Sequence, residues 1–157
     1  MWLLIKNLAF TVLVPGTVAV FVPVVVIGHN APQVSLASIP AFVLLAVGGA
    51  IYAWCVWDFA VTGRGTPAPI DPPRTLVVRG LYRYSRNPMY VGVLSVIAGW
   101  ALLFQSSSVA IYGACVAAAF HLFVLAYEEP HLRRVFGAGY AQYCSQVRRW
   151  LWLPRRN

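Results

Sequence analysis

The sequence predicts an all-α protein, a polytopic membrane helical bundle of about four transmembrane helices followed by short amphipathic C-terminal helices. Three observations predict this fold. Hydrophobic residues make up 60% of the 157 residues and charged residues only 10%, whereas a soluble domain carries roughly a quarter charged residues. The mean hydropathy is +0.70. The apolar residues also fall into long segments, each near the ~20 residues that a helix needs to cross the hydrocarbon core.

Four apolar segments are separated by polar stretches. They run approximately over residues 8–27, 39–61, 89–104 and 109–127. Pro15 and Pro23 lie in the first segment, where neighbouring helices can satisfy the backbone groups that a proline leaves free. The third segment is the shortest. Because only residues 105–108 separate it from the fourth, these two are predicted to form an antiparallel helical hairpin.

The remaining stretches are predicted to be a loop and a tail. Residues 62–73 are rich in Pro and Gly, which disfavours a helix there. In the tail, apolar residues recur at helical spacing from Leu132 to Val147, with interruptions at Gly137 and Gly139, so two short amphipathic helices are predicted. The chain 1–157 is thus one integral membrane domain, made of two N-terminal spans (1–62), a loop (63–88), a helical hairpin (89–127) and a tail (128–157).

The positive charges predict the orientation. Twelve Lys and Arg stand against four carboxylates, a formal net charge of +8. They are Lys6, Arg64, Arg74, Arg79, Arg83, Arg86, Arg133, Arg134, Arg148, Arg149, Arg155 and Arg156. The loops at 29–38 and 105–108 contain none, so the positive-inside rule places both termini and the central loop in the cytoplasm, as in a multi-pass protein of a bacterial inner membrane. These arginines are expected to contact anionic membrane lipids rather than nucleic acid.

The cysteines predict neither a disulfide framework nor a metal site. Cys55, Cys115 and Cys144 are far apart in the sequence and form no C-x-x-C pair. Two of them lie in apolar segments, where a thiol behaves as a small hydrophobic group. The sequence also offers no obvious Ser/His/Asp or Cys/His set, which disfavours chemistry through a covalent nucleophile.

Aromatic and polar residues lead directly into the third span. Residues 80–92 read Gly-Leu-Tyr-Arg-Tyr-Ser-Arg-Asn-Pro-Met-Tyr-Val-Gly. Pro88 suits the first helical position, where its missing N–H costs nothing, and Asn87 then stands at or near the N-cap. The residues alone leave two interpretations open: a capped helix entry with interfacial aromatic rings, or one wall of a binding site.

Two adjacent carboxylates, Glu128 and Glu129, precede Pro130 at the end of the fourth span. Carboxylates at a membrane boundary are costly unless solvated or paired. In one interpretation Glu129 is the N-cap of a tail helix that begins at Pro130. In the other, the hairpin brings Arg86 and Glu128 to the same depth, so that one pocket contains an arginine, two carboxylates and several aromatic rings.

Such a pocket suits S-adenosylmethionine. The carboxylate of this cofactor binds arginine or backbone N–H groups, its ribose hydroxyls bind a carboxylate, and its sulfonium is attracted to aromatic faces. Methyl transfer is a direct displacement, so the protein has mainly to hold donor and acceptor in line. From the residues alone, this cofactor is one option among several.

Two linked motifs make the interpretation more specific. The first comprises Gly80, Tyr82, Arg86, Asn87, Pro88, Tyr90 and Gly92, and the second comprises Glu128, Glu129, Leu132, Phe136, Gly137 and Tyr140. Together they resemble the isoprenylcysteine carboxyl methyltransferase and phospholipid methyltransferase family. The resemblance covers approximately residues 74–153 and includes a closing segment at 147–150.

The resemblance implies a membrane methyltransferase that uses S-adenosylmethionine and acts on a lipid-like or amphipathic small acceptor, which enters between helices. The cofactor would lie at the cytoplasmic boundary, partly covered by the tail, and residues 74–77 would supply backbone contacts. The implied cofactor-binding residues are Leu76, Val77, Tyr82, Asn87, Pro88, Met89, Tyr90, Gly92 and Glu128. Arg86, Glu128 and Glu129 are implied as catalytic residues, with Arg86 either bracing a carboxylate or meeting the carboxylate of the cofactor.

Two positions depart from the eukaryotic prenylcysteine enzymes. Asn87 stands where those enzymes have His, which keeps hydrogen bonding but removes a titratable group. Val124 stands one turn before Glu128, where they place an arginine assigned to the substrate. The second departure favours an acceptor without a carboxylate, such as a lipid amine or a small apolar thiol or hydroxyl.

Three other functions remain open from the sequence. One is an isoprenylcysteine-type carboxyl O-methyltransferase. Another is an NADPH-dependent membrane reductase, because sterol reductases resemble this family in their C-terminal architecture; no extra basic pocket for a 2′-phosphate supports it. The last is a non-catalytic membrane scaffold, in which both polar clusters would be helix caps only.

Overall fold

The computed structural model describes residues 11–63 and 75–150. All regular secondary structure in these residues is helical, which confirms the all-α prediction. The helices are α1 (Val12–Ile27), α2 (Ile39–Asp58), α3 (Pro88–Leu103), α4 (Ser107–Phe123) and α5 (Glu129–Gln146). Shorter 3-10 turns lie at Leu36–Ser38, before α2, and at Gly80–Arg83, before α3.

Within residues 11–63 and 75–150, two helices are long and apolar enough to cross a membrane. They are Leu36–Val61, which contains α2, and Ser107–Gln146, which contains α4 and α5. The apolar helices Val12–Ile27 and Pro88–Leu103 are shorter than 18 residues. Helix length therefore supports two of the four predicted spans. The predicted first span begins at residue 8, and residues 1–10 lie outside the described part of the chain.

Wider π-helical turns interrupt the regular helices at Val12–Phe21 within α1, at Phe59–Gly63 after α2, and at Val124–Glu128 between α4 and α5. The last of these keeps α4 and α5 in one continuous helix. The interpretation of Glu129 as the N-cap of a separate helix is therefore wrong. The wide turn directly before Pro130 accommodates a residue that has no backbone N–H to donate.

The tail helix α5 folds back on the loop that precedes α3. Gly137, with a φ of 51°, divides α5 into two halves, as the predicted interruption of the tail indicated. Tyr140, Tyr143 and Val147 are buried together, and Leu76 packs against them with other apolar residues of the tail. Most of the apolar face of the predicted amphipathic tail is thus covered by the protein itself, whereas Val135 is exposed.

Helix α3 is central and packs against α1, α2 and α4. Its closest approach is to α2, where small residues bring the two backbones together. A Cβ atom on Gly48 would lie 2.7 Å from the carbonyl oxygen of Gly92, and one on Gly99 would lie 3.0 Å from that of Ala41. This contact holds the N-terminal end of α3, which carries the first motif, beside the second half of α2.

Candidate active site

A cleft opens where the N-terminal end of α3 meets the junction of α4 and α5. It contains about 650 Å³ of empty space, a volume that includes space open to the outside. Its lining combines polar side chains with apolar ones. They are Tyr52, Tyr82, Arg86, Asn87, Tyr90 and Glu128, with Val14, Pro15, Val18, Phe59, Met89, Val93 and Phe120.

Glu128 is held at the cleft by a tyrosine of the facing helix. The hydroxyl of Tyr90 donates a hydrogen bond of 2.8 Å to Oε2 of Glu128. The ring of Tyr90 packs against Phe120, with ring centroids 4.5 Å apart. A carboxylate offers about four acceptor positions, so one hydrogen bond from Tyr90 leaves Glu128 able to accept others from a ligand.

Glu129, the neighbouring carboxylate, is bound by two arginines. Arg149 donates to both of its oxygens, from Nε to Oε1 at 2.6 Å and from Nη2 to Oε2 at 3.0 Å. Nη1 of Arg86 lies 3.2 Å from Oε1. The hydrogen bond with Glu129 raises the pKa of the Arg149 guanidinium, against a smaller opposing effect of burial. Glu129 does not line the cleft, but its ion pair with Arg86 connects it to a residue that does.

Residues 147–150, the closing segment, lie against the entry of α3. The backbone N–H of Arg86 donates to the carbonyl of Arg148 at 3.0 Å. The carbonyl of Arg149 accepts from the Ser85 hydroxyl at 3.2 Å and from the Asn87 amide at 3.1 Å. The indole of Trp150 donates to Nδ1 of His121 at 3.1 Å. The closing segment thus forms hydrogen bonds with two residues that line the cleft, Arg86 and Asn87.

Asn87 occupies the predicted N-cap position of α3, and Pro88 is the first helical residue. The Asn87 side chain makes no capping hydrogen bond, which corrects the expectation that it acts as a cap. Its side-chain amide Nδ2–H donates to the carbonyl of Arg149. This carbonyl lies in the closing segment, 62 residues away in the chain, so local sequence rules do not predict the contact.

A buried carboxylate anchors the 3-10 turn that carries Tyr82. Asp58, only 1% exposed, forms an ion pair with Arg79 across 3.3 Å. Gly80 follows with a φ of 57°, and a Cβ atom there would overlap the carboxylate of Asp58. Glycine is therefore required at position 80 by both its backbone conformation and the close approach. The hydroxyl of Tyr143 donates to the carbonyl of Tyr82 at 2.6 Å.

Residues 36–139 match the family model of phospholipid methyltransferases. The chain belongs to the phospholipid methyltransferase family. Membership implies methyltransferase activity in association with a membrane. The matched range begins before α2, contains the first motif and Glu128, and ends within α5. Neither a curated protein nor a solved structure matches the chain.

Five of the predicted cofactor-binding residues of this phospholipid methyltransferase family member line the cleft: Tyr82, Asn87, Met89, Tyr90 and Glu128. Of the predicted catalytic residues, Arg86 and Glu128 also line it. The hairpin prediction that Arg86 and Glu128 lie at the same level agrees with the contacts between Tyr90 and Glu128 and between Arg86 and Glu129.

Four predicted cofactor-binding residues lie elsewhere in this family member. Val77 is buried among Ile51, Cys55 and Tyr82, and Leu76 packs on the tail. Gly92 lies in the close contact between α2 and α3. Pro88 is buried in the first turn of α3. A direct role for these four stays a prediction, and Arg74, the first of the predicted backbone contacts, lies outside the described residues.

Several lining residues of this phospholipid methyltransferase family member were not predicted. Val14, Pro15, Val18 and Phe120 belong to spans that look generic in the sequence. Tyr52 also lines the cleft, and its hydroxyl donates to Thr11 at 3.1 Å. This residue could have been noticed in the sequence as a polar group inside an apolar segment. Arg149 was noted in the closing segment, but no sequence signal connects it with Glu129.

Proposed function

We propose that the protein is a methyltransferase that uses S-adenosylmethionine, which binds in the cleft, to methylate a lipid-like or amphipathic acceptor. The observation that carries this proposal is the lining of the cleft. It places Arg86, Glu128 and the rings of Tyr82 and Tyr90 around one space, and these are the groups that the parts of this cofactor require. Family membership supports the reaction type.

The lining suits the cofactor group by group. Arg86 faces the cleft, and its Nε–H is buried without a hydrogen-bond partner among the described residues, so it can donate to the amino-acid carboxylate. Glu128 can accept from the ribose hydroxyls while it holds the Tyr90 hydrogen bond. The aromatic faces favour a sulfonium through cation–π attraction.

When bound, S-adenosylmethionine supplies a methyl group already activated by its positively charged sulfur. The residues of the chain then have to bind and orient the cofactor and the acceptor and to exclude water. Glu128, held by Tyr90, would orient the ribose of the cofactor, and Arg86 would orient its amino-acid carboxylate. The residues that line the cleft would have to hold donor and acceptor in line, which is the geometry that direct displacement requires.

The test is thermal unfolding of the detergent-solubilised protein with S-adenosylhomocysteine and, separately, with NADPH. A ligand raises the unfolding temperature of the state that it binds. We expect S-adenosylhomocysteine to raise Tm by several degrees and NADPH to leave it unchanged. Stabilisation by NADPH alone would favour the reductase, and stabilisation by neither ligand would favour the scaffold.

The acceptor is proposed to lack a carboxylate. Arg86 is the one cation among the described residues that line the cleft, and it is already paired with Glu129. Val124, one turn before Glu128, is buried and apolar, with 1% of its surface exposed. An anionic acceptor would need its own cation in this low-dielectric space. A lipid amine or a small apolar thiol or hydroxyl needs none.

Labelled S-adenosylmethionine distinguishes these acceptors. We expect the purified protein to transfer label to a membrane lipid extract and not to N-acetyl-S-farnesylcysteine, because the latter presents an unpaired carboxylate. Robust methylation of the farnesylcysteine, with none of the lipid extract, would contradict this choice of acceptor. It would leave the proposed methyltransferase reaction intact and favour the carboxyl O-methyltransferase.

We further propose that the chain is one multi-pass domain with both termini and the cleft on the cytoplasmic side. All twelve Lys and Arg support this orientation, because cytoplasmic loops carry the positive excess. In a background without native cysteines, single cysteines at Gln33 and Ser107 should react with an impermeant maleimide from outside intact cells. Cysteines at Thr66 and Ser145 should react only after lysis. Labelling of position 66 from outside would reject this topology.

A further inference from the structure

Arg149 lies beyond the range that matches the family, residues 36–139, and it does not line the cleft. It nevertheless contacts the cleft-lining residues in two ways. Its side chain shares Glu129 with Arg86, and its carbonyl accepts the amide hydrogen of Asn87. Arg149 is thus connected to one charged and one polar group of the cleft without touching the cleft itself.

The two arginines bind Glu129 in different geometries. Arg149 binds it in the bidentate form, with both carboxylate oxygens occupied. This is the strongest arrangement for an arginine and a carboxylate. Arg86 makes a single ion-pair contact, from Nη1 to Oε1 at 3.2 Å, and the same Nη1 donates to Sγ of Cys144 at 2.7 Å. Its Nε–H has no hydrogen-bond partner in the part of the chain that the structure describes.

We propose that Arg149 is a positioning residue, which holds Glu129 so that Arg86 keeps a donor free for the amino-acid carboxylate of the cofactor. Without Arg149, both oxygens of Glu129 become available, and Arg86 closes onto them in the bidentate form. The donor is then withdrawn from the cleft. This inference rests on the proposed function, since it needs a cofactor with a carboxylate.

Two ligands separate this role from general support of the fold. S-adenosylhomocysteine carries the amino-acid carboxylate, whereas 5′-methylthioadenosine has the same adenine, ribose and sulfur without it. In Arg149→Gln we expect the Kd of S-adenosylhomocysteine to rise about tenfold or more, the usual effect of losing a charge-assisted hydrogen bond. The Kd of 5′-methylthioadenosine should stay within about twofold of the wild-type value, since that ligand makes no use of Arg86.

Three further variants sharpen the test. Arg148→Gln removes the same charge from the neighbouring exposed residue and should leave both affinities unchanged. Arg149→Lys keeps the charge but cannot form the bidentate pair, so we expect an intermediate, carboxylate-selective loss. If Arg149→Gln does not fold, Arg149→Lys alone tests the inference. In an Arg86→Gln background, Arg149→Gln should cause no further loss, because coupled residues are not additive.

Equal weakening of both ligands in the folded Arg149 variants would overturn the inference, because it would show a general structural role. Unchanged affinity for S-adenosylhomocysteine in these variants would overturn it as well. If the wild-type protein binds neither ligand, the proposed cofactor fails and the inference fails with it. If the wild-type protein binds both ligands and the variants show no selective loss of affinity for S-adenosylhomocysteine, only the role of Arg149 is rejected.

Discussion

The Glu128→Gln variant should bind S-adenosylhomocysteine at least about tenfold more weakly than the wild-type protein does. The carboxylate lies on the cleft and accepts the Tyr90 hydroxyl at 2.8 Å, which leaves further lone pairs for the ribose hydroxyls of the cofactor. A hydrogen bond to a charged group contributes about 1.5–3 kcal/mol, and about 1.4 kcal/mol corresponds to a factor of ten. Isothermal titration calorimetry of the detergent-solubilised protein measures the loss.

Tyrosine variants supply the matched control for this prediction. Tyr90→Phe keeps the ring against Phe120 but removes the hydrogen bond to Glu128, so it should weaken binding less than Glu128→Gln does. Tyr127→Phe makes the same chemical change in the turn that precedes Glu128, on an exposed ring stacked on His131, and should leave the affinity unchanged. Wild-type affinity in a folded Glu128→Gln protein would mean that Glu128 serves only the junction of α4 and α5.

Gly48→Ala should destabilise the protein, whereas Gly49→Ala should not. The added Cβ at position 48 would lie 2.7 Å from the carbonyl oxygen of Gly92 and 2.9 Å from the side chain of Val96, so α2 and α3 have to separate. Overpacking of this kind costs about 1–3 kcal/mol. At position 49 nothing lies within 4 Å of the added Cβ. There the substitution should be neutral or stabilise by up to about 1 kcal/mol, the difference in helix propensity.

The two variants differ by one position in the same helix, so the comparison isolates the contact between α2 and α3. Thermal unfolding in detergent measures stability. Because this contact positions the N-terminal end of α3, Gly48→Ala should also weaken S-adenosylhomocysteine binding while Gly49→Ala retains it. If both variants unfold at the same temperature, the close approach of Gly48 and Gly92 is not a determinant of stability.

Several parts of the fold and the site could be predicted from the sequence because they depend on local patterns. Apolar segments of near-membrane length, with Pro88 at a helix start and Gly137 as an interruption, determine helices whatever surrounds them. The two motifs were likewise visible as residue types at fixed spacing. The short connection at residues 105–108 then sufficed to bring Arg86 and the Glu128–Glu129 pair to one level, because an antiparallel hairpin allows few other registers.

Only the tertiary structure decided which groups meet. Val14 and Tyr52 line the cleft because α1 and α2 pack around α3, and nothing in an apolar span marks the face that it presents. Gly92, predicted to bind the cofactor, lies in the α2–α3 contact, and its sequence position could not reveal this because a glycine serves close helix packing and close ligand approach equally well. The side chain of Asn87 serves Arg149 rather than its own helix, because the closing segment brings an acceptor 62 residues away in the chain within reach.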